Sequence, residues 1–134
     1  MTSTVEYTND LRTVCLHVHS GTQIITDAPL DNHGKGEAFS PTDLTATSLA
    51  ACILTTVAIA GQTHGYVIDG AKAEVTKHMA SDPRRISAID VIITMPNRPY
   101  TDKEKTLIER IGNNCPVQKS LHPDIKQNIT YLWG

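Results

Sequence analysis

Aromatic side chains are scarce in this 134-residue chain: one Trp, one Phe and four Tyr make up 4% of it. That leaves little to stack on nucleic-acid bases. An excess of positive charge is also missing, since Lys and Arg number 12 against 14 Asp and Glu. The net charge of −2 gives no electrostatic grip on a polyanion or an anionic membrane surface. No CxxC, HExxH, GxSxG, P-loop or GxGxxG occurs, so the short motifs of redox dithiols, zinc proteases, serine hydrolases and nucleotide binding are excluded. MTSTVEYTND has no basic segment leading into an apolar run, so the expected compartment is the cytoplasm. There an odd set of three cysteines, Cys15, Cys52 and Cys115, is expected to be reduced and not to form a disulfide scaffold.

What is present is 40% hydrophobic residue content, mostly Ala, Val, Ile and Leu, enough for the core of one domain over residues 1–134. Arg12 to His19 alternates, with Val14, Leu16 and Val18 on one face and Cys15, His17 and His19 on the other. Ser20-Gly21 then marks a turn into Thr22–Asp27, which predicts a hairpin. Pro29 to Glu37 is polar and glycine-bearing and reads as an exposed loop. Ser40-Pro41-Thr42-Asp43 opens the strongest helix signal: a capping Ser, a Pro at the first helical position and a carboxylate at the third. No Asp, Glu, Lys or Arg follows between Leu44 and Ile68. Threonines and Gln62 argue against a membrane span, and Gly61 and Gly65 break the run. A helix uncharged on every face is expected to be wrapped by protein, part of it from a partner subunit.

Ala71–His78 and Ile86–Met95 read as a second antiparallel hairpin, joined through Ser81-Asp82-Pro83. Thr101-Asp102-Lys103-Glu104 is a capping box for a helix with Leu107, Ile108 and Ile111 on its inner face. Cys115-Pro116 caps a short helix, and Lys126–Trp133 closes the chain as a strand. The expected order is β-β-α-β-β-α-α-β, with an extra strand at Val5–Thr8, in an α+β domain.

Cys52 lies in mid-helix, where a small buried core residue is the ordinary expectation. Cys115 at a helix cap gains backbone N–H groups and the positive helix end, which predicts a lowered pKa. If the fold brings the two together, they supply an attacking thiolate and a resolving thiol, the minimum for reducing a peroxide. Cys15, His17 and His19 on one flat strand face close poorly around a tetrahedral metal ion, so no metal site is expected there.

Two segments make the sequence resemble the OsmC/Ohr family of thiol-dependent peroxidases. One is Phe39-Ser40-Pro41-Thr42-Asp43-Leu44 leading through Ser48-Leu49-Ala50-Ala51-Cys52; the other is Cys115-Pro116-Val117-Gln118-Lys119-Ser120-Leu121. The resemblance implies an OsmC-like fold, in which an antiparallel sheet wraps a long central helix and two chains intertwine into a homodimer. It implies Cys52 as the peroxidatic residue, Cys115 as the resolving one, organic hydroperoxides as substrates and an external dithiol as reductant. No metal or organic cofactor is implied. In the Ohr branch a Glu directly after the helix-opening Pro pairs with an Arg beside the thiol. Here that position is Thr42 and the carboxylate comes at Asp43, turned by roughly 100° around the helix. Arg12 is the first choice for the arginine and Arg85 the second. A non-catalytic protein binding a small apolar ligand and a thiol redox sensor are the alternative functions for the same fold.

Overall fold

A computed structural model describes residues 1–134, and the backbone falls into two compact units, Met1–Thr45 and Ala46–Gly134. In the first unit β1 (Ser3–Asn9), β2 (Arg12–His17) and β3 (Gln23–Asp27) form an antiparallel sheet in the order β1-β2-β3. The extra N-terminal strand is therefore real. Asp10 and Leu11 turn β1 into β2, both at positive φ, as tight hairpin loops require. The row Cys15, His17, His19 does not form, because β2 ends at His17 and His19 lies in the turn. There His17 Nδ1 meets Ser20 Oγ at 2.6 Å. No group of three or more His, Cys, Asp or Glu side chains converges as a metal site would need. The loop after β3 contains one 3-10 turn, Leu30–Asn32.

The helix α1 (Pro41–His64) starts and stops where local chemistry dictates. Ser40 Oγ accepts from the Asp43 N–H at 3.0 Å, and the Asp43 carboxylate accepts from the Ser40 N–H at 3.0 Å, a reciprocal cap. Gly65 at φ +81° ends it. Gly61 does not break the helix. It allows close approach of the following segment, since a Cβ there would lie 2.5 Å from the Tyr66 carbonyl oxygen.

In the second unit β4 (Lys72–Ala80), β5 (Arg85–Thr94) and β6 (Lys126–Leu132) form a sheet with β5 in the middle. β4 pairs antiparallel with β5, as the expected hairpin requires, whereas β6 runs parallel to β5. The expectation of one antiparallel sheet is thus corrected to two three-stranded sheets, one of them mixed. The reason is the crossover: α2 (Asp102–Gly112) and α3 (Pro116–Ser120) carry the chain back to the start of β5 before β6 begins. The Thr101–Glu104 capping box opens α2, with Glu104 N–H to Thr101 Oγ1 at 3.1 Å and Thr101 N–H to Glu104 Oε1 at 2.9 Å.

One face of α1 (Leu49, Ala50, Ile53, Val57) packs with Ile89, Val91 and Ile93 of β5, Ile108 of α2 and Cys115. Period-2 burial along β5 and period-3.6 burial along α1 meet there. The opposite face of α1 stays open: Ser48, Ala51, Thr55, Ala58 and Ile59 are exposed, Ile59 by 61%. By length and composition α1 could cross a membrane, despite its threonines. A third of its most apolar stretch is buried in the core of its own unit.

Candidate active site

Cys52 projects from the middle of α1 and is half-buried. Its sulfur lies 3.9 Å from the Thr56 hydroxyl one turn on. No formal charge belongs to α1 between Leu44 and Thr63, so the thiol sits on an uncharged helix. Cys115, by contrast, is 0% exposed. It caps α3, with Pro116 at the first helical position, and its N–H donates to Gln118 Oε1 at 2.8 Å.

The structure brings the two thiols into direct interaction. Burial pushes the Cys115 pKa up, and the hydrogen bond and charge of Cys52 push it further the same way. The N–H groups of Gln118 and Val117 pull against this and lose. The expectation that the helix cap lowers the Cys115 pKa is therefore corrected. A helix of five residues has a small dipole, while full desolvation of a thiolate is costly. Cys115 is held as a thiol.

Tyr131 of β6 also belongs to this neighbourhood, and sequence reasoning missed it. Burial, helped by the nearby Glu109 and Cys115, pushes its pKa up to about 12, so the phenol stays neutral and donates to Asn113 Oδ1 at 3.4 Å. The only signal for it was the alternation Gln127, Ile129, Tyr131 along β6. Asn113, Gln118, Lys119, Gln127 and Ile129 line an open, polar pocket of about 370 Å³ beside α3.

The charged residues considered with the cysteines are engaged elsewhere. Arg12 grips Asp27 with two parallel hydrogen bonds, Nε to Oδ1 at 2.6 Å and Nη2 to Oδ2 at 2.8 Å. Its Nη2 also donates to Glu37 Oε1 at 3.1 Å. The Arg12 hydrogen bond holds the Asp27 carboxyl below its usual range against the opposing effect of burial, and the same pair raises the Arg12 pKa. Asp43 contributes its carboxylate to the α1 cap rather than to the Arg12 fork. Arg85 Nη1 donates to the carbonyls of Ser81 and Pro83 in its own turn, at 2.9 and 2.8 Å. In the first unit Ile24, Ile25, Ala38 and Phe39, with Glu37 and Asp43, line a wide, mainly apolar recess of about 550 Å³.

Comparison with known proteins places this geometry. The family model for OsmC-like proteins matches residues 34–130. A crystal structure from Psychrobacter arcticus 273-4, of a candidate osmotic stress induced and detoxification response protein, superposes with a TM-score of 0.93. It is 51% identical over 98% of this chain and 95% of that one. An organic hydroperoxide resistance protein OsmC from Legionella pneumophila shares the fold (TM-score 0.77, 11% identity, 98% and 97% coverage). So does an OsmC like protein from Mycoplasma pneumoniae (TM-score 0.76, 21% identity, 97% and 95% coverage). No curated protein sequence matches.

Proposed function

The chain belongs to the OsmC-like protein family, and from that premise we propose that it is a cytoplasmic thiol peroxidase that reduces organic hydroperoxides. The observation that carries this reading is the pairing of a half-buried Cys52 with a fully buried Cys115 thiol in direct interaction with it.

Cys52, as thiolate, attacks the terminal oxygen of the hydroperoxide. An S–O bond forms, the O–O bond breaks, and the alkoxide leaves as an alcohol with the proton that the thiol gave up. The sulfur of Cys115, losing its proton, then displaces hydroxide from the Cys52 sulfenic acid. The S–S bond forms and water leaves. An external dithiol reduces the disulfide, becoming a cyclic disulfide itself, so each cycle consumes one hydroperoxide and one dithiol. The uncharged helix around Cys52 favours an alkyl hydroperoxide over hydrogen peroxide, and no metal or organic cofactor takes part. Arg12 supplies the positive charge that favours thiolate in this reading, while Asp43 is left to the helix cap.

A homodimer completes the proposal. The open face of α1 is as free of charge as the buried one, which suits a second copy of the chain rather than water. Purified protein given cumene hydroperoxide and dithiothreitol should consume peroxide steadily, and Cys52→Ser should not. Equal consumption by Cys52→Ser would overturn the assignment. Sedimentation should give twice the mass of the chain.

A further inference from the structure

We propose that Asp27 is the positioning carboxylate for Arg12, in place of the acid that the start of α1 lacks. This rests on the reading above, in which Arg12 supports the reacting thiolate, and it concerns only residues of the first unit.

Arg12 and Asp27 are directly opposed across β2 and β3, at the ends of both strands. The fork between them is bidentate, the geometry that fixes a guanidinium in plane as well as in place. Asp27 is itself held from other directions. Its second oxygen accepts from the Glu37 N–H at 3.1 Å, and its own N–H donates to the Phe39 carbonyl at 3.0 Å. Lys35 adds a further positive charge that favours the ionised form. The Asp27 side chain is 1% exposed and that of Arg12 31%, so the carboxylate forms the buried floor and the guanidinium its outer layer.

The donor count shows what this arrangement leaves over. Nε and Nη2 are committed to Asp27 and Glu37, whereas Nη1 has no partner in the chain. Two N–H donors on one fixed edge of the guanidinium remain for an incoming anion. An ion pair with so buried a carboxylate is a weak way to gain stability, because desolvating the charges offsets most of their attraction. Holding a charge in one orientation is what such a pair does well. Thr42 cannot perform this role, lacking a charge, and Asp43 is engaged at the Ser40 cap.

Kinetics and thiol titration test the proposal together. Asp27→Asn should lower kcat/KM for cumene hydroperoxide by about tenfold or more. In an Arg12→Ala background the same change should cost less than about twofold, because a group acting through Arg12 has nothing left to position. Arg12→Lys, which keeps the charge and loses the fork, should be nearly as impaired as Arg12→Ala. Multiplicative losses, or Arg12→Lys at wild-type rate, would overturn the proposal. The Arg12→Lys result stands even where Asp27→Asn fails to fold. A second readout needs no turnover: the pH dependence of Cys52 alkylation by iodoacetamide in Cys115→Ser protein. Asp27→Asn and Arg12→Ala should each move its midpoint upward, by about one pH unit. An unmoved midpoint rejects the positioning role whether or not the wild type reduces peroxide. Absence of peroxide consumption with a moved midpoint rejects the peroxidase reading alone.

Discussion

The segment that holds Arg12 and the segment that holds the two cysteines are built on opposite principles. Around Arg12 the chain concentrates charge, with Asp27, Glu37 and Lys35 within electrostatic reach, and fixes it by hydrogen bonds. Around Cys52 and Cys115 it removes charge, and it fixes the thiols by packing against Ile53, Ile89 and Ile108. Ionic geometry survives solvent contact but depends on protonation. Packed geometry ignores pH over a wide range but depends on every methyl group. The two regions therefore fail under different insults.

The sharpest way to break the contrast is to remove the sulfur. Cys52→Ser should reduce peroxide turnover by about three orders of magnitude or more, as the loss of a nucleophile does, while Arg12→Ala should cost about 100-fold. Steady-state consumption of cumene hydroperoxide measures both. Comparable losses would mean that charge, not sulfur, dominates.

Next comes packing. Ile53→Ala removes a fully buried side chain from the core of the second unit and should destabilise it by about 2–5 kcal/mol in urea unfolding. Ile59→Ala, on the open face of α1, should leave the stability of an isolated chain within about 0.5 kcal/mol. Its effect should appear instead in sedimentation, as weaker self-association.

The smallest effects are those of pH, and they separate the regions by sign. Asp27 has a folded pKa below its ordinary value, so its contribution is present above about pH 4 and is lost as pH falls through the lowered value. Cys115 and Tyr131 have folded values above theirs. Their contribution is full at neutral pH and is lost as pH rises, for Tyr131 between about 10 and 12. Trp133, the single tryptophan, stacks on Tyr131 and reports the alkaline loss by fluorescence. Asp27→Asn should flatten the acid limb and leave the alkaline limb unchanged.

Much of this was legible in the sequence because it is written in local chemistry. Ser40-Pro41 and Thr101–Glu104 announce two helix starts, and the alternation from Ile89 to Ile93 announces a buried strand face. The two cysteine motifs are specific enough to point to a pair. The Arg12–Asp27 fork was hidden for a definite reason. A two-residue turn at Ser20-Gly21 would set Arg12 opposite Pro29. The actual loop spans Val18–Gly21, closed by the His17 N–H on the Thr22 carbonyl at 2.8 Å, and moves Asp27 opposite Arg12. That slip of two residues keeps every side chain on the same face, so alternation cannot detect it. The direction of the Cys115 pKa was hidden for a similar reason. A cap is a local feature, but the burial that overrides it comes from elements far away in the chain.

The parallel pairing of β5 with β6 also bears on how the protein acquires its shape. Ala88 meets Lys126 and Thr94 meets Leu132, so 38 residues separate every partner in that ladder. The β4–β5 hairpin closes over a few residues and is fast to form. β6 cannot dock until α2 and α3 have folded between the strands, which makes it the late step of a contact-order-limited process. Tyr131 arrives with β6. Until then Cys115 has no roof, and any oxidant meets two open thiols on an unfinished chain instead of one exposed sulfur backed by a sheltered one.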